Sequence, residues 1–340
     1  MASSLARKEA ELGAVLGALV GDAAGATLEF KRNISRQDVE VAMRMPGGGE
    51  LDVGPGQITD DGELTLALLG AITGNDNETA VDIDRVARAF CDWHRSRPFD
   101  MGSTCGRAFA SLAAVPTAAA MRANAERFSA LSEANGALMR ATPVPAVLHR
   151  LSNDRVADVA RRAAGLSHPN PVCLETAALY SVAIAHLIRT ASEDKAARAA
   201  GAVALVEELA AAWDAPPAVR AWISDSARPL EAIDCCRVNI GHVKHGFTLA
   251  LHFLRACSGY EDAVRETLAR GGDTDTNAAI VGGMIGALHG RGGIPAYMLD
   301  PVMRFDPTAA TGGELVDGVR VPGQPRPAAY RAAGIMDILG

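Results

Sequence analysis

The chain has 340 residues, enough for two average domains or one large one, and 49% of them are apolar, which supports a sizeable core and excludes global disorder. A formal charge of −7 excludes a nucleic-acid surface built on bulk electrostatics, while leaving room for a local basic pocket. Aromatics are only 4% of the residues and alanine is abundant, which favours closely packed helices over sheets.

Helical periodicity dominates from the start. The opening stretch MASSLARKEAELGAVLG has no charged-then-apolar leader pattern with a cleavage site. Residues 8–30, KEAELGAVLGALVGDAAGATLEF, carry apolar residues at helical spacing with glycines at 13, 17, 21 and 25. Glycine costs about 1 kcal/mol in a helix relative to alanine, so four at i, i+4 spacing predict a flat stripe where another backbone approaches closely. A Gly/Pro loop follows at 44–57, then helices over 63–72 and 83–95. Short breaks at ATPVPAVL (141–148), SHPNP (167–171) and DAPP (214–217) flank helices over 174–191 and 194–213. Helices over 245–258, 260–270 and 277–290 complete the series, the last with its own glycine column at 282, 286 and 290. No strand alternation exceeds four or five residues. The expectation is an all-α fold of ten or more helices in one domain over 1–305. Residues 306–340 form an irregular C-terminal tail, lying on the surface over 306–330, with a short terminal helix packed on the domain.

The six cysteines include an adjacent pair, Cys235–Cys236, and no C-x-x-C, which suits neither a disulfide framework nor a zinc site. No uncharged apolar run reaches about 18 residues, so no membrane span is expected. The chain is placed in the reducing cytoplasm.

Two acidic clusters carry the chemistry. GQITDDGELTLALL sets Asp60 and Asp61 behind Thr59 just before an apolar helix. One acid at a helix start answers the dipole, but two adjacent acids repel. More than two hundred residues later, GGDTDTNAAIVGGMIGALHG repeats the arrangement with Asp273, Asp275 and Thr276. In an extended loop Asp273 and Asp275 point to the same side. Thr276 then stands where the helix begins, as an N-cap or as a further oxygen ligand. Glu29 ends the glycine-striped first helix. If the loops meet, five carboxylates and two threonine hydroxyls share one pocket, and like-charge repulsion raises their pKa values unless cations enter. Two divalent ions would balance that charge closely. All-oxygen ligands without Cys or His favour Mg²⁺ or Mn²⁺ over Zn²⁺, and the twelve-residue EF-hand spacing is absent. Taken singly, each motif also reads as a plain helix cap.

GALVGDAAGATLEF, GQITDDGELTLALL, SRPFDMGSTC, ANGALMRATPVP, LSHPNP and GGDTDTNAAIVGGMIGALHG stand in the order found in the ADP-ribosylglycohydrolase family. The chain resembles that family over roughly 11–292, most of all its dinitrogenase-reductase-activating branch, whose members act on ADP-ribosylarginine. The resemblance implies an all-α fold with two Mg²⁺ or Mn²⁺ ions. It also implies hydrolysis of the bond between ADP-ribose and arginine on an ADP-ribosylated protein, with ADP-ribose as product. It assigns metal ligation to Glu29, Thr59, Asp60, Asp61, Asp273, Asp275 and Thr276. Asn135, Gly136 and Met139 match the segment cradling the diphosphate and distal ribose, and backbone N–H groups there suit phosphate. His168 matches a histidine near the ligand, against the plainer reading of a loop cap. Asp100 matches an acid that meets the guanidinium, with Gly102, Ser103 and Thr104 in its loop, against the plainer reading of a surface turn. Asp60 or Asp61 is the base for the attacking water. Two departures stand out: Gly62 replaces a common Thr or Ser, and His242 stands where relatives often carry an adenine-stacking Tyr. The tail after 306 matches nothing in the family pattern. Rival readings are another linkage (serine, a nucleic-acid end, a free metabolite) or a non-catalytic ADP-ribose binder, which the intact acid set disfavours. A His-Asp phosphohydrolase is disfavoured because no His-Asp dipeptide occurs.

Overall fold

The computed structural model describes residues 2–73, 81–110, 115–235, 239–315 and 318–339. Cys236, and with it the Cys235–Cys236 pair, lies outside them, as do Val316 and Asp317 of the tail. Among the described residues there are sixteen α-helices and no strand, only two isolated bridges.

Two helices run antiparallel through the middle, Ala2–Gly25 and Thr274–His289. Their glycine columns face each other. A Cβ added at Gly13 would strike the Gly286 carbonyl, one at Gly17 the Gly282 carbonyl, and one at Gly21 the Ala278 carbonyl. The helix penalty of glycine is offset by this backbone-to-backbone approach. Tyr260 and Tyr180 lock the pair from either side, their buried hydroxyls donating to Gly17 O at 2.7 Å and Ile280 O at 2.8 Å. The pairing has one consequence for function. It brings the end of the first helix at Gly25 against Asp275 at the start of the other, and so closes the gap of more than two hundred residues between the acidic motifs.

Ala2–Gly25 and its turn, and Pro171–Arg189, are long and apolar enough to cross a membrane, but most of each is buried inside the fold. Their apolar character is what a helix surrounded by other helices requires.

The three expected breaks contain helix starts. ATPVPAVL holds a helix at Pro143–Leu148, SHPNP leads into Pro171–Arg189, and DAPP into Pro217–Asp225. Proline at the first helical position loses no hydrogen bond and arrives with the required φ, so it opened these helices rather than ending their neighbours.

The 306–330 stretch does not lie wholly on the surface. Arg326 is buried, and its guanidinium grips Glu63 through Nε–Oε1 and Nη2–Oε2, both at 2.8 Å. Its Nη1 donates to Ser96 O at 2.9 Å, while Trp93 Nε1 donates to Glu63 Oε2 at 2.8 Å. The tail is thereby tied to the helix that begins with Asp60 and Asp61. Arg326→Met should destabilise the protein by about 3–5 kcal/mol in urea unfolding, because it strands a buried carboxylate. The double variant Arg326→Met/Glu63→Gln should recover a large part of that loss, and equal losses in both would show that the ion pair is not the cause.

Candidate metal centre and active site

The second half of the first helix is the platform on which the site is assembled. Asp22, fully buried, accepts from Thr59 N at 3.0 Å, Thr59 Oγ1 at 2.9 Å and Gly62 N at 2.8 Å. A carboxylate from one helix thus satisfies the free N–H groups at the start of another, Asp60–Ile72. It also accounts for Gly62, since a Cβ there would lie 2.6 Å from Asp22 Oδ2 and 2.7 Å from Ile58 Cβ. The missing Thr or Ser hydroxyl is excluded by space.

The second acidic motif differs locally from the extended loop expected. Gly271 and Gly272 take left-handed backbone (φ 67° and 80°), and a Cβ at Gly272 would meet the Cys235 carbonyl. After that tight turn the helix starts at once, with Asp273 at the cap position and Thr274 as its first residue. Asp275 and Thr276 therefore sit in the first turn, and Thr276 is not the cap. Neither Thr59 nor Asp273 makes a side-chain capping bond. The plain helix-cap reading of both motifs fails on this point, because the side chains face each other across the site.

Ligand oxygens of Glu29, Asp273 and Asp275 lie within 4.8 Å of one another. Behind them, Thr276 Oγ1 lies 3.3 Å and Thr59 Oγ1 3.4 Å from Asp61 Oδ2, and Thr59 Oγ1 is also 3.5 Å from Asp275 Oδ2. Asp60 Oδ2 accepts from Gly102 N at 3.1 Å, which ties the acid pair to the loop carrying Asp100. Two oxygens, Glu29 Oε2 and Asp61 Oδ1, are buried without a hydrogen-bond partner. Burial, reinforced by neighbouring carboxylates, pushes Glu29 up to about 7 and Asp100 up to about 9. The same causes raise Asp60, and hold Asp61 and Asp275 well above the carboxylate range. Asp22 is pushed up to about 8 by burial, despite its hydrogen bonds. A buried acid cluster of this kind needs cations or protons, and the two unsatisfied oxygens are placed as ligands are.

A cavity of about 300 Å³ opens over the cluster. Its walls include Glu29, Asp60, Asp273, Asp275 and Thr276 on one side, and Asp100, Gly102, Ser103, Thr104, Asn135, Gly136, Met139 and His168 on the other. Thr59 and Asp61 stand behind this wall, both fully buried. Asn135 Nδ2 donates to Asp273 Oδ2 at 2.8 Å, which couples the two sides. Gly136 lies over the His168 ring, where a Cβ would come within 3.1 Å of Cε1. His168 is buried and its pKa is held well below the usual range by burial and by Arg140, so the ring is neutral; its Nδ1 meets Ser167 Oγ at 2.8 Å.

His242 stands apart from the other assigned residues, for it does not line this cavity although Gly241 does. Its Nδ1 accepts from Lys244 N at 3.0 Å, capping the helix Val243–Arg255, and Nε2 is left to donate to Glu133 Oε2 at 2.8 Å. Its ring stands edge-on to Trp222.

Two buried residues escaped the sequence reading. Asp22 lies in the apolar, glycine-striped second half of the first helix, and its role shows only when Thr59 and Gly62 lie beside it. Arg140 ends the ANGALMR motif and lies under the cavity floor, bonded to Gly136 O and Ser167 Oγ and 3.4 Å from Cys105 Sγ. It is the buried cation that faces Asp60 and Asp61.

Comparison with known proteins places the chain among relatives of one family. The sequence model of the ADP-ribosylglycohydrolase family matches residues 3–325. That span runs past 292, where the recognisable motifs end, and into the tail. The chain is 30% identical to the ADP-ribosyl-[dinitrogen reductase] glycohydrolase of Rhodospirillum rubrum, over 85% of this chain and 88% of that protein. It is 25% identical to the ADP-ribosylarginine hydrolase of Serratia proteamaculans strain 568, over 86% and 75% respectively. Among solved structures, a chain of an ADP-ribosylglycohydrolase-related protein complex superposes with a TM-score of 0.68 at 26% identity, covering 87% of this chain and 92% of that one.

Proposed function

The chain belongs to the ADP-ribosylglycohydrolase family, and from that premise we propose that it is a divalent-metal-dependent hydrolase releasing ADP-ribose from ADP-ribosylated arginine on a target protein. The observation that carries the reading is the grouping of Glu29, Asp273 and Asp275 within 4.8 Å, with Asp60 on the same cavity wall, Asp61 behind it, and two buried oxygens left unsatisfied. These five acids with Thr59 and Thr276 fit a pair of Mg²⁺ or Mn²⁺ ions in donor type and charge. Bound there, the ions supply Lewis-acid charge that grips a sugar diol and lowers the pKa of a water.

The chain's own groups do the rest. Asn135 and the Gly136 backbone hold the diphosphate side of the ligand, with the neutral His168 ring beneath them. Loss of the guanidine builds positive charge on the distal ribose, which the surrounding carboxylates stabilise. The C1″–N bond breaks and a C1″–O bond forms to water. The water's proton passes to the Asp60 or Asp61 carboxylate. Asp100, whose carboxyl is pushed up by burial and by the neighbouring acids, is placed to give a proton to the departing guanidine nitrogen. Before the bond breaks, a carboxyl oxygen of Asp100 accepts from the guanidinium N–H. The Ala2–Gly25 helix carries Asp22 to the start of the Asp60–Ile72 helix, and the cytoplasm is the proposed location.

The test is incubation with arginine-, serine- and nucleic-acid-linked ADP-ribose, with and without Mn²⁺ or Mg²⁺. We expect release of ADP-ribose from the arginine linkage alone, and none after chelation. Turnover in metal-free buffer, or release only from serine or nucleic acid, overturns the reading.

A further inference from the structure

A second cavity adjoins the first and carries the opposite charge. It measures about 830 Å³ and is lined by Lys31, Arg32 and Arg270 with no acid among its described lining residues. The catalytic cavity is lined by five acids and no Lys or Arg. Phe30 lines both. It takes a left-handed backbone (φ 63°) unusual for a bulky residue, and the residue is 58% exposed where the two cavities meet. Ile240 in the basic cavity and Met101 in the acidic one are the other large apolar residues exposed at these walls.

We propose that this basic groove binds an acidic segment of the target polypeptide next to the modified arginine. The inference rests on the reading of the acidic cavity above and extends it to substrate choice. A cavity of about 300 Å³ has room for the reacting sugar and its neighbours but not for the polypeptide that carries them. The polypeptide must leave across the rim, and Phe30 is the ridge it crosses. Beyond the ridge, Lys31 is held by Asp38 at 2.7 Å, and the Arg270 guanidinium bonds the Ile233 carbonyl at 2.8 Å, so both cations are fixed in place. Arg32 is exposed at the groove wall. On a chain whose net charge is −7, such a patch attracts anionic groups to the rim of the site.

The test uses the whole protein with Mn²⁺ and three substrates. These are free ADP-ribosylarginine, a peptide bearing ADP-ribosylarginine flanked by Asp and Glu, and the same peptide flanked by Lys. The acid-flanked peptide should show a kcat/KM about tenfold above the lysine-flanked one, carried by KM and lost at high salt. Arg32→Glu should erase that ratio and Asn33→Lys should widen it. Equal kcat/KM for the two peptides in the unmodified protein, or a ratio unchanged by Arg32→Glu, overturns the proposal. So does competition by single-stranded oligonucleotide that the acidic peptide does not match, which assigns the groove to nucleic acid. No release from any of the three arginine-linked substrates would instead remove the parent reading, and this one with it. Release from free ADP-ribosylarginine without peptide discrimination sinks this one alone.

Discussion

Asp61→Asn is expected to lower kcat by at least about a thousandfold while leaving the protein folded, because Asp61 supplies charge and a proton acceptor where both are used. The side chain is buried, bonded only through Oδ2 to two threonine hydroxyls, and its Oδ1 has no partner. Asparagine keeps the shape and removes the charge. Burial and the acids Asp60, Asp22 and Asp273 hold the Asp61 carboxyl well above its ordinary range, so the folded metal-free chain spends free energy to ionise it. The variant should therefore unfold at a higher, not lower, denaturant concentration than the unmodified chain at pH 8 in chelator, by on the order of 1 kcal/mol. Activity and stability then move in opposite directions, as expected of a charge retained for function and against the fold. Asp273→Asn should lose turnover similarly. A kcat within tenfold of the unmodified enzyme would place the chemistry elsewhere, and a variant that merely unfolds would show Asp61 to be structural.

Much of this was legible in the sequence because it follows from local chemistry. The two glycine columns announced a pair of central helices in backbone contact, and Gly13, Gly17, Gly282 and Gly286 meet as that pattern requires. TDD and DTDT raised a shared pocket as one reading, because two adjacent acids exceed a capping need, although each motif taken singly also reads as a cap. What stayed hidden depends on partners far away in the chain. Asp22 is an ordinary acid until its helix lies beside Thr59 and Gly62. Arg326 sits among prolines and glycines in a stretch without periodicity, and only the fold shows that Glu63, 263 residues earlier, lies opposite it. The helix at Pro143–Leu148 was missed because proline breaks and starts helices with the same residue, and the distinction lies in which side the helix continues. His242 was assigned from its neighbours in the motif order. In the fold its ring turns back to cap its own helix, while the adjacent Gly241 faces the cavity.

The metal-free protein should lose stability as pH rises, and divalent ions should restore it most where the loss is greatest. Glu29 at about 7, Asp22 at about 8 and Asp100 at about 9 keep their protons in the folded chain over a range where unfolded carboxyls, with values near 4, have lost theirs. Between about pH 4 and pH 9 the unfolded state thus binds fewer protons than the folded one, so raising the pH favours unfolding. The contribution is complete below about pH 4, shrinks progressively as the pH rises, and is gone once the pH has passed 7 to 9 in turn for the three groups. Between pH 5 and pH 8 this lowers Tm by about 5 °C or more for a chain of this size. Dications replace those protons as counter-charges, so their binding should release protons, and the Tm gained on adding Mn²⁺ should grow with pH over the same window. Thermal melts in chelator and in Mn²⁺ at several pH values read both slopes at once. A chelated Tm that is flat or rises from pH 5 to 8 would mean the acids are not held together in the unliganded fold. A metal-induced gain that does not change with pH would mean the ions bind away from Glu29 and its neighbours, because only a site that exchanges protons for cations ties the two slopes together.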